Sequence, residues 1–69
     1  MTELLIQIGQ NIVTRRKALN LSQEKLALTC GIDRSYMGRV ERGEMNLTIT
    51  KLYKIAEALG CDARELLPK

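Results

Sequence analysis

At four places in this chain a residue that ends a helix is followed closely by one that can start the next: Asn20 then Ser22, Gly31 then Asp33, Gly43 then Thr48, and Gly60 then Asp62. Glycine and asparagine tolerate the left-handed backbone that closes a helix. Serine, threonine and aspartate accept a hydrogen bond from the free N–H groups of a first turn. The punctuation predicts helices over about 2–19, 23–30, 34–42, 49–59 and 63–67, the last short enough to suit a 3₁₀ geometry. Arg15, Arg16 and Lys17 close the first segment, where cations favour the helix dipole, and Glu24 opens the second, where an acid does.

Apolar residues recur at helical spacing within those limits. Leu5, Ile8, Ile12 and Leu19 line the first segment, Leu26, Ala27 and Cys30 the second, and Ile49, Leu52, Ile55, Ala56 and Leu59 the fourth. Two tyrosines and no phenylalanine or tryptophan offer little to a strand, so the expected class is all-α, a compact five-helix domain over 1–69. A chain this short buries only about 60% of its unfolded surface, which leaves no room for a second domain. The second and third segments, joined by a turn containing Gly31, have the form of a helix-turn-helix unit.

The formal charge of +3 is unevenly placed. Residues 11–42 hold seven basic and three acidic side chains, against four and five in the rest, which suggests a polyanionic partner. Within GIDRSYMGRVERGE, at about 100° per residue, Arg34, Gly38, Arg42, Ser35 and Arg39 fall in an arc of roughly 140°. Tyr36, Met37 and Val40 take the other side. The polar arc contains no acid, and arginine's planar donor fork fits phosphate or the O6/N7 edge of guanine. Gly38 costs about 1 kcal/mol relative to alanine inside a helix. On the polar arc it is expected to give a flat partner close access to the backbone, so a bulky residue there should harm binding more than folding. Tyr36, at the apolar edge, suits either core packing or a phenol laid on phosphate, sugar or thymine methyl. Glu41 borders the core side, with Arg16 as its expected partner.

Several classes of chemistry find no support. Cys30 and Cys61 form no CxxC, and there is no histidine to complete a metal site, so no metal or cofactor is expected and both thiols fit a reduced core. Without histidine, paired carboxylates or a glycine-rich phosphate loop, an enzyme is not expected either. The opening MTELLIQIGQNIV carries Glu3 and lacks both a basic n-region and a long apolar run, so the expected location is cytoplasmic, with no membrane association.

Nearly the whole chain resembles the lambda Cro/repressor type of helix-turn-helix proteins, the XRE-like family. The resemblance is carried by IGxxI at Ile8 to Ile12, LSQEKLA at Leu21 to Ala27, GIDRSYM at Gly31 to Met37, VERG at Val40 to Gly43 and KIAEALG at Lys54 to Gly60. DRSYM, VERG and NLTI look most like the small controller proteins of restriction-modification systems. The family resemblance implies five helices, with the third in the major groove and the second crossing the backbone. It further implies a transcriptional regulator that binds double-stranded operator DNA with two half-sites as a homodimer.

By position it implies base reading by Arg34, Ser35 and Arg39, phosphate contacts from Gln23, Asn46 and Thr48, and a structural ion pair between Arg16 and Glu41. Arg42, with Ser22 and Tyr36, is expected to add contacts to the DNA backbone. Leu66 and Leu67, with part of the fourth helix, are the expected dimer interface, spacing half-sites about 10 base pairs apart. The chain departs from the family pattern at Glu44 and Met45, where many relatives carry basic residues, and at the apolar Leu28. Together with Leu4 and Leu5, those departures suit an alternative: a protein-interaction module on the same fold, such as an antitoxin or coactivator subunit, with DNA binding secondary.

Overall fold

In the computed structural model, which describes residues 2–68, the chain forms α1 (Thr2–Ala18), α2 (Gln23–Cys30), α3 (Arg34–Glu41), α4 (Ile49–Leu59) and a closing 3₁₀ turn (Ala63–Leu66). The starts are made by side chains. The Ser22 hydroxyl accepts from the Lys25 N–H at 3.0 Å, the Asp33 carboxylate from Tyr36 at 3.2 Å and the Thr48 hydroxyl from Lys51 at 3.2 Å. Asp62 accepts from the Arg64 N–H at 2.8 Å, and Glu65 reaches back to the Asp62 N–H at 3.1 Å, a reciprocal capping box.

Three helix ends share one closure. Asn20, Gly31 and Gly60 stand at φ 59, 69 and 69. The residue after each donates back to a carbonyl five positions earlier: Leu21 to Arg16 at 3.0 Å, Ile32 to Ala27 at 2.9 Å and Cys61 to Ala56 at 3.0 Å. Leu21, Ile32 and Cys61 all pack against the core as a result. At Gly31 a Cβ would meet no neighbour within 4 Å, so the requirement there is the left-handed backbone itself.

That closure corrects the expected end of α1. The helix stops at Ala18, Leu19 is 51% exposed, and Leu21 takes the inward place beyond the Asn20 turn. α3 likewise ends at Glu41, with Arg42 as its cap, and the last turn ends at Leu66, so the predicted fifth helix is a 3₁₀ turn. Ile49 was expected inward but is 70% exposed. It stands four residues before the exposed Tyr53, on the flank of α4 beside the buried stripe of Leu52, Ile55, Ala56 and Leu59.

Each element gives the core one large side chain buried below 2%: Ile12, Leu26, Met37, Ile55 and Leu66. Leu66 is therefore part of the monomer's interior and has no surface to offer a dimer, contrary to its expected role; Leu67 beside it is 37% exposed. α1 anchors this closing turn through Asn11, whose side-chain amide donates to the Leu66 carbonyl at 3.0 Å, and through an Arg15–Glu65 ion pair.

α1 and α3 approach with no room for a side chain between them. A Cβ on Gly9 would lie 2.4 Å from the Glu41 carbonyl oxygen and 2.7 Å from that of Val40. On Gly43 it would lie 2.7 Å from the Ile6 Cα. Next to this contact, Arg16 donates to both carboxylate oxygens of Glu41, at 2.8 and 3.0 Å, and to the Leu21 carbonyl at 2.9 Å. Gln23 adds a third bond to Glu41 at 3.0 Å. Glu41 is thus buried with its charge matched and its oxygens occupied, which offsets the cost of taking it out of water. α3 is held from one side by α1 and from the other by the first residue of α2.

Candidate nucleic-acid interface

Met37 and Val40 are buried on the inner side of α3, while Arg34, Ser35 and Arg39 are exposed on the outer side. Arg34 and Ser35 form the first turn, directly after the Asp33 cap. Among the described residues Arg34 enters no ion pair, so its guanidinium is free to meet an acceptor outside the protein. Arg39 and Arg42 stand further along, with side chains 55% and 58% exposed.

Gly38 is covered where its wheel position suggested open access. It is buried, and a Cβ there would come within 3.3 Å of the Arg42 Nη1 and the Gln23 Oε1. The space it leaves is filled by the chain's own side chains, so clearance for an outside partner is not its immediate role. An isolated wheel places Gly38 on the polar arc correctly; what covers that arc depends on where α2 begins.

Ser22 and Gln23 bring the N-terminus of α2 to the same side. The Ser22 hydroxyl accepts as a cap but keeps its own proton to donate. Gln23 is half-buried, with its amide committed to Glu41. Beyond α3, the half-buried Tyr36 donates its phenol proton to the Asn46 carbonyl at 3.2 Å, and the Lys51 ammonium sits 4.8 Å from its ring centre. Tyr36 therefore both packs against the core and braces the segment that carries Asn46 and Thr48, two exposed residues leading into α4.

One acid stands on this face, and the wheel gave no sign of what it does. Glu44 accepts from Arg42 Nε at 3.0 Å and Nη2 at 3.3 Å, and lies 3.9 Å from Arg39 Nε. The hydrogen bonds from Arg42 hold the Glu44 carboxyl below its usual range, and the carboxylate raises the Arg42 guanidinium in return. The signal lay in the sequence as RGE at Arg42 to Glu44, but reading it needs the left-handed Gly43, φ 75, that folds the acid back.

Residues 12–66 match the helix-turn-helix family HTH_3. The chain belongs to that family. This helix-turn-helix protein is 40% identical over 62 residues to the control protein C.SmaI of Serratia marcescens, covering 90% of this chain and 74% of the relative. It superposes with a TM-score of 0.89 on the restriction-modification controller protein C.AhdI of Aeromonas hydrophila, at 46% identity over 91% of this chain and 96% of the other. A crystal structure of the biofilm master regulator SinR in complex with DNA matches with a TM-score of 0.82 at 33% identity, covering 86% and 95% of the two chains. The protein is therefore a helix-turn-helix DNA-binding regulator of transcription, close to the restriction-modification controller proteins. Its relatives are regulators rather than enzymes.

The sulfurs take no part in this face. Burial raises the thiol pKa of both Cys30 and Cys61, and Cys30 points at the Lys54 carbonyl, 3.8 Å away. Among the described residues no group of side chains could hold a metal ion, and no helix is long and apolar enough to cross a membrane.

Proposed function

We propose that residues 1–69 act as one cytoplasmic DNA-binding domain, pairing as a homodimer on an operator with two half-sites and laying α3 in the major groove. One observation carries the reading. The first turn of α3 exposes Arg34 and Ser35, with Arg34 free of acid among the described residues, while Met37 and Val40 keep the opposite side buried. A guanidinium without an internal partner, at the start of a helix held in place from behind, suits bidentate contact with guanine O6 and N7. Ser35 and Arg39 extend the base contacts. Ser22, Gln23, Asn46 and Thr48 position the phosphates, with Arg42 at the end of α3 and Tyr36 bracing the loop.

Arg34→Ala tests the assignment. It is expected to cost about 1 to 3 kcal/mol on a site selected from random DNA and to relax preference at one base pair in each half-site. Competition binding against single-base variants of that site measures both. An equal loss on every sequence would remove Arg34 from base reading and leave it a phosphate contact.

A further inference from the structure

Among the described residues Glu44 is the one acid paired with the exposed guanidiniums of α3 and its cap, and it is paired with two of the three, Arg42 and Arg39 but not Arg34. It accepts two hydrogen bonds from Arg42 and stands 3.9 Å from Arg39, but makes no ion pair with Arg34. We propose that Glu44 is a positioning residue that holds down the charge-driven part of DNA binding. Its carboxylate holds Arg42, and to a lesser degree Arg39, as an internal substitute for a DNA phosphate, so that a duplex of any sequence is bound less tightly than the exposed arginines alone would allow.

The argument rests on the DNA-facing reading of α3 and follows from what the two kinds of binding consist of. Non-specific binding comes essentially from lysine and arginine neutralising phosphates and releasing counterions. Every guanidinium already neutralised within the protein is subtracted from it, and the carboxylate repels the phosphate that would replace it. Operator binding adds base contacts, and the residue best placed to make them, Arg34, lies outside the Glu44 pair. Glu44 thus weakens a term common to all sequences and spares the base contact of Arg34. The paired Arg42 side chain also rests above Gly38, whose absent Cβ would come within 3.3 Å of Arg42 Nη1. A formal charge of only +3 makes the effect of one such residue large, because few positive charges are available to this face in the first place.

The test compares the unaltered chain with E44Q, R42Q and the double variant, on a random-sequence duplex and on a duplex selected by the unaltered chain, between about 50 and 200 mM salt. E44Q is expected to tighten random-duplex binding about 3- to 8-fold and to steepen its slope of log K against log salt by about 0.9, one extra phosphate contact. The selected duplex should gain by a similar factor, so the ratio between the two is preserved. R42Q should remove most of the gain when combined with E44Q, and alone should weaken both duplexes, since it takes away a phosphate contact and leaves the Glu44 carboxylate unpaired. Unchanged or weaker random binding by E44Q, a gain confined to one of the two duplexes, or a gain that survives R42Q would each overturn the proposal. Glu44 is half-exposed, so thermal unfolding should move little and a folding defect is separable from these readouts. If the unaltered chain bound random duplex without salt dependence, the DNA-facing reading of α3 would fall as well; a normal slope with an inert E44Q overturns the role of Glu44 alone.

Discussion

Gly9 and Gly38 are both buried within helices, but a methyl group at each would meet a different kind of obstacle. At Gly9 it would strike the backbone carbonyls of Val40 and Glu41, at 2.7 and 2.4 Å, and backbone inside two packed helices cannot step aside singly. At Gly38 it would press at 3.3 Å on the ends of two long side chains, Gln23 and Arg42, which need give by only a few tenths of an ångström. Both substitutions gain about 1 kcal/mol of helix propensity. Gly9→Ala is nonetheless expected to destabilise by about 3 kcal/mol, since α1 must move off α3. Gly38→Ala should stay within about 1 kcal/mol of the parent, the propensity gain offsetting the displaced side chains. Urea unfolding of the two variants measures the difference. Equal losses would mean that Gln23 and Arg42 are fixed over Gly38 rather than merely resting there.

At the scale of elements, Glu41 does what no single helix can, since it is bonded by Arg16 of α1 and Gln23 of α2 while belonging to α3. With side-chain exposures of 12% for Arg16 and 4% for Glu41, removing one partner strands the other in a poor solvent. Glu41→Ala is expected to cost about 3 to 5 kcal/mol, whereas replacing both by apolar side chains, Arg16→Met with Glu41→Leu, should cost clearly less. Denaturant titration of the single and double variants decides it; a double variant as unstable as the single would mean that the pair itself, and not the stranded charge, supplies the stability. The pairing of Arg16 with Glu41 was legible because wheel position and family resemblance converge on it. The helix starts at Ser22, Asp33, Thr48 and Asp62 were legible because a cap is a contact over two or three residues. Leu19, Ile49, Gly38 and Leu66 were misjudged for the opposite reason. Helical periodicity says which residues share a face, but what covers that face is decided by elements distant in the chain. The polar face of α3 was legible for the same local reasons as the caps. The turn that carries Glu44 back onto it was not, because its geometry depends on Gly43 lying against Ile6 of α1.

At the scale of the molecule, the proposed pairing on two half-sites limits where a partner copy can sit. Two recognition helices in successive turns of one DNA face lie about 34 Å apart, so each is about 17 Å from the symmetry axis. The described residues measure 27 × 22 × 20 Å, so an axis at that distance would run close to the protomer's own surface. With Leu66 enclosed in the core, the exposed apolar residues include Leu28 on α2 and a neighbouring pair on α4, and the pair on α4 borders a groove. Ile49 is 70% exposed and Tyr53 62%, and together they border a groove whose far wall is Cys61 to Arg64. A self-complementary patch of this kind needs the same residues on both copies, so one charge introduced at its centre is introduced twice and faces itself. Tyr53→Glu is therefore expected to shift sedimentation at micromolar concentration from dimer to monomer and to flatten the sigmoidal dependence of operator binding on protein concentration. Folding should be preserved, because the side chain meets solvent in the monomer. Leu67→Glu makes the contrasting case, since Leu67 borders a different groove, with Gln7, Gln10 and Asn11. Dissociation by Leu67→Glu but not by Tyr53→Glu would move the seam to the α1 side, where the spacing of the two α3 helices would have to be met by a different rotation of the protomers.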